Sequence, residues 1–172
     1  MNALSDDLKR YCDGSAKQVI KAIYNHPALV GIIWYRMARY LWLKRSNPAW
    51  LILFVINRIL YPLIRIYSGL ELSPRAQIGP GLYIAHFGPT VIHPDTVAGK
   101  NLTLIHGVTI GESASGIPRL GDNVSIGTGA IIIGGICVGN NVTVGANAVV
   151  TKDVEDNLTV VGIPAKPLNN LR

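Results

Sequence analysis

Cysteine is nearly absent from this 172-residue chain: Cys12 and Cys137 stand alone, far apart and in no metal-binding or redox spacing. That excludes a disulfide framework or a zinc finger and leaves two free thiols, as expected in a reducing compartment. A secretory signal is missing too, since Asp6, Asp7, Lys9 and Arg10 stand where an apolar run would be needed. The chain is therefore expected in the cytoplasm, at most at the inner face of the membrane. Long apolar runs are also lacking. Ala49–Ile56 is clean, but Asn57, Arg58, Pro62 and Arg65 follow it. Such a stretch falls short of the ~20 residues that cross a bilayer, and suits a helix docked on a partner or lying in a membrane interface. Acid is scarce in residues 1–75, which hold four Asp/Glu against eleven Lys/Arg, whereas residues 76–172 hold six against five. The basic excess belongs to the N-terminal part and is read chiefly as solvated helix faces, with an anionic membrane or glycan as the functional counterpart and no nucleic acid expected.

Glycine divides the chain in two. Residues 1–70 contain three glycines and read as helical. Ser5 is a plausible N-cap for a helix through about Tyr24. Pro27 opens a second helix, Asn47-Pro48 breaks it, and a third runs to Ser68-Gly69. Fifteen of the eighteen glycines fall in residues 76–162, among Ile, Val and Thr. There an apolar residue recurs every six positions: Ile78 and Ile84; Ile92, Ala98, Leu104 and Ile110; then Leu120, Ile126, Ile132, Val138, Val144 and Val150. Glycine follows seven of these twelve sites. Two extra residues separate Ile84 from Ile92, and four separate Ile110 from Leu120. A fixed short period with glycine in phase marks a solenoid.

The stretch VSIGTGAIIIGGICVGNNVTVGANAVVTKDVEDNLTVVGIP, Val124–Pro164, resembles the hexapeptide-repeat acyltransferases. The resemblance implies a mainly β fold, a left-handed parallel β-helix of about four triangular coils preceded by an α-helical segment. The handedness comes from the resemblance alone, because crossovers between parallel strands are ordinarily right-handed. The expected division is a helical segment over 1–70, the β-helix over 71–163 and a tail over 164–172. With three sides per coil, Ile84, Leu104, Ile126 and Val144 stack, and two residues beyond each come His86, His106, Thr128 and Ala146. These four then share one edge.

The segment ELSPRAQIGPGLYIAHFGPTVIHPDTVAGKNLTLIHGVTIG, Glu71–Gly111, is similar to the serine acetyltransferases and to the related colanic-acid and capsule O-acetyltransferases. The resemblance implies transfer of an acetyl group from acetyl-CoA to a hydroxyl. It makes His86 the general base and Glu71, fifteen residues earlier, the carboxylate that orients it. His106 is a candidate for stabilising the oxyanion. Thr128 and Ala146 match positions that hold the pantetheine arm; Thr151, Lys152 and Lys166 match positions at the adenosine-phosphate end. No metal is expected, because no Cys/Asp/Glu ligand spacing accompanies His86, His93 and His106; His26 and His93 read as structural. A homotrimer is implied, with sites between subunits.

The acceptor is read from departures. Where serine acetyltransferases carry an Asp before the catalytic histidine, this chain has Ala85, and a further histidine of their projecting loop aligns with Ile117. The terminal isoleucine through which such enzymes dock on a partner sulfhydrylase is replaced by Asn169-Asn170-Leu171-Arg172. These differences favour a sugar or capsular polysaccharide acceptor, placing the chain in the colanic-acid branch. Serine O-acetylation for cysteine synthesis is the alternative, and a β-helix of the γ-carbonic-anhydrase or scaffold kind is the third reading.

Overall fold

The computed structural model describes residues 3–168; the departure read at Asn169–Arg172 lies outside them. Four helices come first: α1 (Ala3–Lys9), α2 (Ala16–Asn25), α3 (Pro27–Lys44) and α4 (Pro48–Ser68). The single first helix expected from Ser5 to Tyr24 is corrected, for the chain breaks between α1 and α2. There Gly14 takes φ 91° and Asp13 accepts the Ser15 N–H at 3.0 Å. The later boundaries follow their signals. Pro27 and Pro48 occupy first turns, where a missing N–H costs nothing. Asn47 caps α4 by accepting from the Ala49 N–H at 2.9 Å, and Gly69, at φ 67°, closes it.

The rest is a three-sided parallel β-helix. One sheet stacks β1 (Leu70–Leu72), β4 (Thr90–Ile92), β7 (Thr109–Gly111), β10 (Ile131–Ile133) and β13 (Val149–Val150). The second stacks β2 (Gln77–Ile78), β5 (Val97–Ala98), β8 (Arg119–Leu120) and β11 (Cys137–Val138). The third stacks β3 (Tyr83–Ala85), β6 (Thr103–Ile105), β9 (Ser125–Ile126), β12 (Thr143–Val144) and β14 (Thr159–Val161), with β15 (Lys166–Pro167) antiparallel at its end. All twelve repeat sites are buried. Strand alternation sends every second side chain inward, and each buried Ile, Leu or Val contributes roughly 1.5–3 kcal/mol. The expected four coils are corrected upward: Leu72 enters register with Ile92 below, and Val160 with Val144 above. The upper coil was hidden because Val154, bridged to Val138, interrupts the six-residue step.

One corner column is asparagine. Asn101, Asn123, Asn141 and Asn157 all take φ between 56° and 63°, and each amide donates to the next amide oxygen at 2.9 Å. Asparagine tolerates the left-handed region better than most residues, and stacking its amides satisfies groups the corner would otherwise leave to water.

A β-helix exposes the backbone of its first coil, an edge able to pair with other chains. Here the helices close it, with one tyrosine for each sheet. The Tyr11 hydroxyl accepts from Ile84 N at 2.7 Å and donates to Ile84 O at 3.0 Å. Tyr35 accepts from Ile78 N at 3.2 Å and donates to Ala76 O at 2.7 Å. Tyr61 accepts from Leu72 N at 3.1 Å. Burial pushes all three phenols above their ordinary range. Asp7, fully buried, accepts from Gly81 N and Leu82 N at 2.8 and 2.7 Å and is bound by Arg36 Nε at 2.7 Å. Arg36 also reaches the carbonyls of Ile78 and Gly79, Arg39 that of Ala76, and Arg10 that of Gly81. The reading of the basic residues as solvated faces is thus corrected for these three arginines, which cap the edge.

Candidate active site

Strand register fixes the proposed edge. Ile84 pairs with Leu104, Leu104 with Ile126, and Ile126 with Val144. The residues two further on, His86, His106, Thr128 and Ala146, therefore climb one corner at roughly 4.8 Å per coil.

His86 lies in the two-residue insertion between β3 and β4 and is exposed. Its backbone holds φ 64°. Among the described residues, every other non-glycine with positive φ is an asparagine. Holding a histidine there costs roughly 1–2 kcal/mol, and such strain collects at functional positions. The insertion bends back onto His106 because Gly88 has no side chain: a Cβ there would stand 2.8 Å from that of His106. The two imidazoles end with ring centroids 6.0 Å apart and planes at 81°.

His106 is largely enclosed. Its Nε2 lies 2.9 Å from Thr128 Oγ1, and the Thr128 hydroxyl donates to the His106 carbonyl at 3.0 Å. With the hydroxyl proton used there, Nε2 is the donor to Thr128, and the buried Nδ1, which has no partner, keeps its lone pair. A neutral His106 in this tautomer has no N–H left for an oxyanion. Thr128, expected to meet the coenzyme, also orients His106.

Glu71 is on β1, in the neighbouring sheet. Its carboxylate accepts from Arg65 Nη1 at 3.2 Å, and no hydrogen bond joins it to His86. Both members of the pair are about half exposed. They line a cleft of about 280 Å³ with Ile66, Gly69 and Phe87, the residue after His86. Arg65 was not legible as a site residue; the signal was its place one helical turn before the C-terminus of α4, six residues ahead of the Glu71 carboxylate in β1.

Thr151, Lys152 and Lys166 lie at the far end, three to four coil steps along the axis from His86, a rise of roughly 15–19 Å, with Thr151 and Lys152 after β13 and so beyond the corner that carries His86. All three are exposed. Lys166 is carried by β15, opposite Val161, while Ala165 N donates to Val149 O at 2.8 Å and folds the chain over the last coil. The edge between these ends is lined by small residues, Gly107, Thr128, Gly129 and Ala146. A long, flexible thiol carrier with phosphates at one end fits small side chains along its arm and cations at its terminus.

The histidines do not assemble into a metal centre. His93 Nδ1 accepts from Asp95 N at 3.2 Å and its Nε2 faces Glu112 at 3.5 Å. His26 stands at the N-cap position of α3, without a side-chain capping bond, and meets Tyr11 edge-on. Among the described residues no three His, Cys, Asp or Glu converge.

A model of the bacterial transferase hexapeptide (six repeats) matches residues 118–152. A serine acetyltransferase of Helicobacter pylori (strain J99 / ATCC 700824) is 36% identical over 164 residues, covering 93% of this chain and 92% of its own. The chain belongs to the serine acetyltransferase family. A Mycobacterium tuberculosis (strain ATCC 25618 / H37Rv) serine acetyltransferase is 31% identical across 96% of this chain and 72% of its own. Among solved structures, the Neisseria gonorrhoeae enzyme in complex with serine superposes with TM-score 0.80 at 30% identity, over 96% of this chain and 67% of that one. A serine acetyltransferase in complex with CoA gives TM-score 0.80 at 27% identity, over 96% and 68%. This protein is accordingly an acetyl-CoA-dependent acetyltransferase.

These relatives overturn the polysaccharide acceptor. They match nearly the whole chain, they are serine acetyltransferases, and one was solved with serine. The colanic-acid branch rested on Ala85, Ile117 and the C-terminal Asn169-Asn170-Leu171-Arg172. Those local departures weigh less than similarity over the whole chain.

Proposed function

We propose that this chain is a serine O-acetyltransferase. The observation that carries the proposal is whole-chain similarity to serine acetyltransferases, including a structure solved with serine. In the proposed reaction His86 takes the serine hydroxyl proton as the oxygen attacks the thioester carbonyl of acetyl-CoA. The tetrahedral intermediate collapses, the carbon–sulfur bond breaks, and the departing thiolate takes the proton from the imidazolium. O-acetylserine and free CoA leave. An alcohol is protonated at neutral pH, so a base of pKa near 6.5 is the missing element, typically worth about 10²–10⁴ in rate. Glu71, within the cleft next to Phe87, supplies negative charge that favours the imidazolium as it forms. Arg65 takes the serine carboxylate, a role for which its planar fork is suited. The pantetheine arm runs past His106, Thr128 and Ala146 toward Thr151, Lys152 and Lys166. The active unit is a homotrimer, because one prism edge forms half a groove.

The test is release of CoA thiol from acetyl-CoA with serine and with a panel of free sugars as acceptors. Turnover with serine alone is expected. Turnover with a sugar and none with serine would overturn the proposal. Arg65→Ala should raise KM for serine about ten- to a hundredfold and leave that for acetyl-CoA in place.

A further inference from the structure

Helix α4 is amphipathic in the wrong sense for a water-soluble surface. The residues it turns toward the protein are Trp50, Phe54, Asn57, Tyr61, Ile64 and Ser68, a stripe at alternating steps of four and three. That inner stripe holds Asn57 and Ser68, 3% and 1% exposed, and both polar atoms of the Asn57 amide lack a partner. The outward side is apolar instead: Ile66 is 74% exposed, Ile59 70%, Leu63 66% and Ile52 62%. At about 100° per residue, the charge-free outward arc covers roughly 200° of the circumference, from Leu51 round to Leu53. Arg58 and Arg65 both fall on one border of it, where Arg58 lies 4.6 Å from the Tyr61 ring and Arg65 binds Glu71. The stretch read from sequence as eight apolar residues is therefore part of a 21-residue helix with an 18-residue window of mean hydropathy 1.7, long and apolar enough to cross a membrane by length and composition. Crossing is not what its attachments suit. One side is packed on α3, its end is tied to β1 through Tyr61 and Arg65, and Arg58 sits at mid-length.

We infer that α4 lies flat in the interface of an anionic lipid bilayer, its outward arc in the acyl boundary and the α3–α4 turn at the headgroups. The charge pattern selects this occupant. Between Asp13 and Glu71 the chain has no acidic residue and eight Lys/Arg. The turn carries aromatic rings covered by cations: Lys44 Nζ is 4.6 Å from the Tyr40 ring and 5.3 Å from that of Trp50, and Arg45 is 3.5 Å from that of Trp42. Tryptophan and tyrosine beside lysine and arginine are the composition of a membrane–water boundary. One partner helix would cover only about half of so wide an arc.

The test uses the full chain with sedimenting vesicles of phosphatidylglycerol and phosphatidylcholine, or of phosphatidylcholine alone, and bromolipid quenching of tryptophan fluorescence. The wild type should sediment with the anionic vesicles, be quenched by bromolipid, and be released by high salt. Lys44→Ala with Arg45→Ala should weaken binding about thirtyfold. Ile59→Glu should abolish it while leaving thiol release with acetyl-CoA intact. A wild type that stays in the supernatant and is unquenched overturns the inference. So does an Ile59→Glu variant that binds vesicles as before but loses mass in sedimentation velocity, since that result assigns the face to a second copy.

Discussion

The helical cap and the β-helix solve one problem in opposite ways. In the prism the ladder N–H groups donate to carbonyls of the equivalent strand one coil away, and one corner is tied by its stacked asparagines. In the cap the partners are single and unlike: one aspartate, three tyrosines and three arginines, each fitted to one place on the first coil. Repetition spreads an interaction over many equivalent residues, whereas the cap concentrates it. Damage to the cap should therefore cost more per side chain than damage to the prism.

The largest expected effect on stability is at Asp7. Asp7→Ala leaves Arg36 as an uncompensated, nearly buried cation and frees two buried N–H groups, at a cost of about 3–5 kcal/mol. Denaturant unfolding with a loss under about 1 kcal/mol would show that the cap is as redundant as the prism. Tyr35→Phe comes next. It removes the hydroxyl that pairs Ile78 N and Ala76 O, at about 1–3 kcal/mol. The same tyrosines give a pH signature. Burial raises their folded pKa, so the native state keeps protons that the unfolded chain releases. Their contribution is complete below about pH 10 and declines as pH rises beyond it. A melting temperature that stays flat from about pH 9 to 11 would contradict this. Smallest is the prism corner. Asn141→Ala should cost about 1–2 kcal/mol for its left-handed backbone, and Asn141→Gly less, because glycine takes that conformation without strain. Equal losses in the two variants would assign the cost to the amide ladder and not to the backbone.

The same contrast explains what sequence could reveal. The prism was legible because a period of six states its own geometry; from it the register of Ile84, Leu104, Ile126 and Val144, and hence the shared edge of His86 and His106, followed by counting. The cap has no period. Nothing local in Asp7, Tyr11 or Tyr35 says which distant N–H each will meet, so their roles came only from the fold. The pairing of Arg65 with Glu71 was hidden likewise. The bounds of α4 were legible from Asn47-Pro48 and Gly69, but the reach of its apolar face was not, because Asn57, Arg58, Pro62 and Arg65 interrupt the run in sequence. In the structure Asn57 faces inward, the arginines share one border and the run continues around them.

The proposed chemistry turns on His86, a strained histidine at the foot of a small-residue edge in a serine acetyltransferase fold. Serine-dependent release of CoA from acetyl-CoA, compared between the wild type and His86→Ala at matched circular dichroism, tests it most directly. A fall in kcat of about 10²–10⁴ is predicted for a lost general base. Turnover within about twofold of the wild type would contradict the assignment, since a base contributes at least about 10².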